Sequence, residues 1–178
     1  MDFNSIVLSR LESLFNEHNV HLSKEDKNEL LFSSYYVAIK IVHDELENSN
    51  TLFVSKDTKF LYPIDDKLIK SLFHSEIKID YTPPEIFVNN VAIFFEGVGK
   101  PLLEGDAGTL DLIEKYVYKI SAEYTNELKQ RQYIEQADIA WKTGDYIRFI
   151  KCMEQTDMTK LPESYKLKYK RAIKEINK

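Results

Sequence analysis

Three groups of residues in this 178-residue chain have the types and spacing that chemistry requires: a histidine pair, a glycine-rich loop carrying a lysine, and two clusters of carboxylates. His18 and His21 have the HxxH spacing that sets two imidazoles on one helical face. Zinc takes three or four ligands, no cysteine neighbours the pair, and His43 and His74 stand in other segments, so no metal site is expected. Gly97-Val98-Gly99-Lys100-Pro101 offers backbone amides and a cation to a phosphate. A phosphate-binding loop of that kind also needs a glycine where Phe94 stands and a hydroxyl residue where Pro101 stands. No nucleotide or other cofactor is expected, and the glycines read as a helix exit followed by a proline stop.

The carboxylates divide into Asp44, Glu45 and Glu47, just after an apolar strand-like segment, and Glu104, Asp106 and Asp111, around Gly105. Acid–base catalysis needs two carboxyl groups in environments that separate their pKa values, together with a nucleophile and an oxyanion donor. No G-x-S-x-G elbow is present, and Cys152 beside Met153 in a helical stretch reads as a packed thiol. No enzyme activity is therefore assigned, and the two acidic groups stand as candidate contact sites for a protein partner. Asp106 and Thr109 also have the chemistry of helix caps before Leu110.

The elements that must position these groups follow from periodicity. Phe3, Ile6, Val7, Leu11, Leu14 and Phe15 recur at helical steps and predict a helix over 3–16. Ser23 to Glu29 reads as a polar stretch. Ser34 to Val42 is β-branched and aromatic, with Tyr35, Val37, Ile39 and Ile41 alternating, and predicts a strand. The turn residues Glu47-Asn48-Ser49-Asn50 then lead into a second strand at Thr51–Val54, with a possible third at Lys59–Tyr62 closed by Pro63. A short helix over 64–73, an extended linker or edge strand over 77–81, and a helix opened by Pro83 and Pro84 follow. After the glycines at 97, 99, 105 and 108, the stripe Leu110, Ile113, Val117, Ile120, Tyr124 and Leu128 runs on to Ala137, Ala140 and Trp141, as one bent helix or two. Tyr146 to Gln155 and a last helix opened by Pro162 complete an all-helical C-terminal half. Trp141, Tyr133 and Tyr146 sit at helical spacing and read as core. The class is α+β, with an N-terminal part over 1–96 and a helical part over 97–178 in one compact unit.

Composition excludes several functions. One cysteine rules out an internal disulfide framework. No stretch has the roughly 18 apolar residues of a membrane helix, and the start lacks a signal peptide's pattern, so a cytoplasmic protein without a membrane partner is expected. Net charge is −5. Residues 160–178 hold seven of the 24 basic and two of the 29 acidic residues, leaving 17 basic against 27 acidic in the rest. An acidic body argues against nucleic acid as a partner, since phosphate neutralisation needs a concentrated basic surface.

Three segments carry a resemblance: Tyr36-Val37-Ala38-Ile39-Lys40-Ile41-Val42-His43-Asp44-Glu45-Leu46-Glu47; Pro101-Leu102-Leu103-Glu104-Gly105-Asp106; and Tyr133 to Ile176. The last contains Ala137-Asp138-Ile139-Ala140-Trp141-x-x-Gly144-Asp145-Tyr146 and Leu161-Pro162-x-Ser164-Tyr165-x-x-Lys168-Tyr169. Together they resemble a loosely defined group of small bacterial proteins, some encoded beside polymorphic or contact-dependent toxins. The resemblance implies an N-terminal helix on a small antiparallel sheet joined to a C-terminal helical bundle. By genomic association it also implies an immunity protein that binds a cognate toxin, and an acidic surface suits a basic nuclease toxin. The alternative is an adaptor whose C-terminal helices bind a partner helix or another copy of the chain, a homodimer being its simplest form.

Overall fold

The computed structural model describes residues 2–177. The chain is α+β: an N-terminal helix, a five-stranded antiparallel sheet, then helices. It divides into two compact units, residues 1–118 and 119–178, and the division falls inside one long helix.

In the first unit, helix α1 (Phe3–Glu17) starts where Asp2 accepts the Ser5 N–H at 2.8 Å, and it buries Phe3, Val7, Leu11 and Phe15 along one face. Asn19 at φ 58° ends it in the left-handed conformation that asparagine tolerates better than most residues. The sheet follows as a meander, β1 (His21–Asp26), β2 (Glu29–Ser33), β3 (Ala38–Asp44), β4 (Ser49–Ser55) and β5 (Tyr62–Ile64), with the strands adjacent in chain order. Register places Leu30, Ile41, Leu52 and Ile64 in one cross-strand row and Leu22, Phe32, Ile39, Val54 and Tyr62 in the next. Both rows belong to one core with the inward residues of α1 and of α3 (Pro84–Glu96). Phe15 meets Phe32 and Phe95 edge to face, with centroids 4.9 and 5.2 Å apart.

The strands depart from the alternation in both directions. The polar stretch at 23–29 is largely strand, because β1 is a sheet edge with only Leu22 half-buried and needs no apolar pattern. The strand expected from Ser34 starts at Ala38, while Tyr35 and Tyr36 project from the preceding turn. Pro63 lies inside β5 rather than closing it, which the edge position permits. Residues 77–81 form no strand. They are tied to the start of α2 (Asp66–Phe73) by the Asp66 carboxylate, which accepts the Ile79 and Asp80 N–H groups at 2.7 and 3.0 Å. Burial pushes the Asp66 carboxyl up, but those amides and Lys78 outweigh it and hold it below the usual range.

Helix α4 (Lys100–Leu103) and the first turns of α5 (Ala107–Thr143) complete this unit, with Leu102, Leu103, Leu110 and Ile113 in its core. The glycine-rich turn thus lies within the first unit.

The second unit holds the rest of α5, which is one continuous helix, then α6 (Tyr146–Glu154), a 3-10 turn at Met158–Lys160 and α7 (Glu163–Ile176). Gly144 at φ 73° turns the chain, and Asp145 caps α6 by accepting the Arg148 N–H at 3.0 Å. Small residues at Ala137, Ala140 and Ala172 join Phe149, Cys152 and Met153 in a separate core, with the Trp141 ring 5.1 Å from that of Phe149. Tyr165 donates to Asp138 at 2.7 Å, and burial, with that carboxylate, pushes the phenol up to about 12. A raised folded-state value favours the neutral phenol, so its stabilisation is complete below pH about 10 and is lost as pH rises towards 12. The urea midpoint of this unit, followed by Trp141 emission, is expected to fall across that window, and less steeply in Tyr165→Phe. No helix among the described residues is long and apolar enough to cross a membrane.

Candidate binding site

The six carboxylates singled out by sequence do not converge. Asp44 accepts the Leu46 and Glu47 N–H groups at 2.8 and 3.1 Å and so builds the β3–β4 turn. Glu45 accepts from Asn28 at 2.7 Å and pairs with Lys27 at 3.1 Å, and these two partners hold its carboxyl below the usual range. Glu47 faces Asp65, Asp80 and Tyr81 across a shallow concavity. Asp106 caps α5, accepting the Thr109 N–H and hydroxyl at 2.7 Å each, and Asp111 pairs with Lys56. Glu104 ends α4, 3.7 Å from Lys100. The meander separates the two groups, since Asp44, Glu45 and Glu47 flank the β3–β4 turn whereas Gly105 packs on the β2–β3 turn at the other end of the strands. Most of these acids are explained by caps and ion pairs within the chain.

The histidine pair is also divided. His18 caps the C-terminus of α1, while His21 opens β1 with its Nδ1 2.7 Å from Asn16 Oδ1. Among the described residues no three His, Cys, Asp or Glu side chains are grouped to hold a metal ion. Gly97 ends α3 by donating to Ile93 and Phe94 carbonyls, and Cys152 is buried in the second core.

Glu45, Glu47 and Glu104 each line a concavity. The one at Glu104, about 400 Å³ and open to solvent, is also lined by Leu103 from α4, Glu17, His18 and Asn19 from the end of α1, and Ser34, Tyr35 and Tyr36 from the β2–β3 turn. The turn is held from inside: Ser34 Oγ accepts the N–H groups of Tyr36 and Val37 at 3.2 Å each, and Ser34 N–H donates to the Val37 carbonyl at 2.8 Å. Val37 is buried as its anchor, whereas Tyr35 is 91% and Tyr36 61% exposed, their rings meeting edge to face at 4.9 Å. The cavity is therefore bordered by two tyrosines, two glutamates and the C-terminal end of α1, which carries partial negative charge, and by no nucleophile hydrogen-bonded to a base. No family model, curated protein or solved structure matches the chain. The chemistry of this cavity is accordingly read from its own residues.

Of these residues, sequence reasoning singled out Glu104 as a contact candidate and His18 as half of the HxxH pair. Tyr35 looked like one member of a strand alternation, and the signal against that was local: a serine at 34 can bond the amides two and three residues on and turn the chain. Glu17 carried no signal beyond closing a helix, and His18 carried only that of the histidine pair. Gly105 sets the α4 side of the cavity, with φ 70° and a hydrogen where a Cβ would overlap the Tyr36 Cβ. Gly105→Ala is expected to cost more than about 1 kcal/mol in urea unfolding, from the positive φ and that overlap together.

Proposed function

We propose that this chain works by binding another protein, and that it is a cytoplasmic immunity protein neutralising a cognate bacterial toxin. The observation that carries the binding reading is the rigid turn displaying Tyr35 and Tyr36 at the rim of the acid-lined cavity. Tyrosine gives a large amphipathic contact surface at small entropic cost, and binding hot spots are enriched in it. A turn fixed by its own serine has already surrendered the freedom that binding would otherwise remove. The narrower immunity reading is supported by the three resembling segments and by the acidic body of the chain, which would speed encounter with a basic partner. The test is co-expression with the product of the adjacent reading frame, followed by affinity pull-down and a growth assay. A stable complex with rescue from that product's toxicity is the expected result, and neither complex nor rescue would remove the immunity reading.

A second reading rests on a different observation. Every residue of α5 from 118 to 129 is exposed, and Ile120, Tyr124 and Leu128 lie on one face of that stretch. Most helical stability in proteins comes from packing an apolar face, which this stretch does not do within the chain. An antiparallel crossing of two copies about Tyr124 would set Ile120 of each against Leu128 of the other, a homodimer of the adaptor type. Sedimentation equilibrium should then show mass rising with concentration and returning to monomer in Tyr124→Glu; a strictly monomeric wild type at high concentration removes this reading.

A further inference from the structure

The cavity between α1, α4 and the β2–β3 turn has a chemistry that selects its occupant, and we infer that it clasps an arginine side chain of the protein partner. This deepens the protein-binding reading and rests on it. Glu17 and Glu104 border the concavity from two different helices and make its rim acidic; Glu17 accepts from Ser13 Oγ only at 3.5 Å. The C-terminus of α1 adds partial negative charge from its last carbonyls. Tyr35 and Tyr36 border it as well, exposed and with their rings nearly at right angles to one another, and a cation is drawn to an aromatic face by the ring quadrupole. Guanidinium fits this set better than ammonium, because it is planar, stacks on an aromatic ring and presents forked donors to a carboxylate while it stacks. Lys100, which pairs with Glu104, is a weak competitor: it is half exposed, one helical turn away, and reaches the carboxylate only at 3.7 Å. An apolar anchor would gain nothing from the two carboxylates, and an acidic one would be repelled by them.

The test uses the full chain labelled with nitrogen-15 and titrated with the tripeptide Ac-Gly-Arg-Gly-amide. Saturable shifts are expected at the amides of Asn19, Ser34 to Val37, Glu104 and Gly105. The same peptide with citrulline, which keeps the shape and loses the charge, should leave those amides in place, and the lysine peptide should bind more weakly than the arginine one. Glu17→Gln combined with Glu104→Gln is expected to weaken arginine binding by about fivefold or more, and Tyr35→Leu by about two- to fivefold. All three positions are exposed, so these variants are expected to keep the wild-type fold, which circular dichroism checks. Shifts absent from these amides, citrulline or lysine binding as well as arginine, or a double variant that titrates like wild type would each overturn the assignment. Carrying the double variant into the pull-down separates the two readings. A complex that survives it undiminished overturns the arginine clasp and leaves protein binding standing. A wild-type chain that captures no partner removes the proposed partner, while the peptide titration still decides the cavity.

Discussion

Phe15→Ala is expected to lower the stability of the first unit by about 3–5 kcal/mol, a cost usual for deleting a buried phenylalanine. Phe15 is fully buried, and its ring is where helix α1, strand β2 and helix α3 meet, through the edge contacts with Phe32 and Phe95. Phe95 in turn meets Phe94, and Phe94 meets Phe73 of α2, so four elements share one aromatic chain. Removing the Phe15 ring, which joins Phe32 of the sheet to Phe95 of α3, leaves a cavity that neighbouring side chains cannot close without tilting a helix against the sheet. Domains of this size are stable by about 5–15 kcal/mol, so the loss is a large share of the whole. Urea unfolding followed by far-ultraviolet circular dichroism measures it. A loss below about 1 kcal/mol would mean that the packing of α1 and α3 on the sheet is not as described.

Phe149→Ala is expected to cost a similar amount in a smaller unit, and the consequence there is greater. The second unit has roughly sixty residues, and its core consists of three alanines, Cys152, Met153 and Phe149. Among the described residues Phe149 is the only large ring fully inside it; Trp141, Tyr146, Tyr165 and Tyr169 pack around it only partly buried. A unit of that size is stable by about 3–9 kcal/mol at the usual stability per residue, so a loss of about 3–5 kcal/mol leaves it near its unfolding midpoint. Trp141 is the sole tryptophan of the chain and touches Phe149, which makes its emission a direct reporter. The variant should show red-shifted Trp141 emission in buffer and a lost near-ultraviolet signal. Native emission with an unchanged urea midpoint would show that Phe149 does not organise this core.

These two cores differ in how far the sequence announces them. The four-residue steps from Phe3 to Phe15, the prolines before α3 and the Ala-Trp-Gly-Asp pattern of the α5–α6 hairpin are strong signals, because each repeats the physical rule that makes the element. Strand β1 carries no such signal, since an edge strand facing water on most of its length is held by ladder hydrogen bonds that any residue except proline supplies. Strand β2 does alternate, with Leu30 and Phe32 inward, but five residues are too few to stand out against polar neighbours. The site was less legible than the fold. Charge clustering in sequence marked Asp44, Asp106 and Asp111, whose carboxylates are taken up by the backbone or by a lysine. Glu17 and Glu104, which line the cavity, lie 87 positions apart and meet only because α1 and α4 end at the same turn. No local pattern can encode that meeting. It is a product of the fold.

The meander described above also bears on how the chain reaches that fold. Each strand pairs only with the strand before it and the one after it, so every ladder closes across a short loop and none waits for a distant segment. Sheets built from local pairings form faster than those that need remote strands, because less chain entropy is lost before contacts repay it. The slow event should be the seating of α3 beside α1, whose partners are separated by the whole sheet. During synthesis the strands can therefore assemble in the order in which they emerge, with the apolar face of the young sheet sheltered on one side by α1 until α3 arrives to cover the rest.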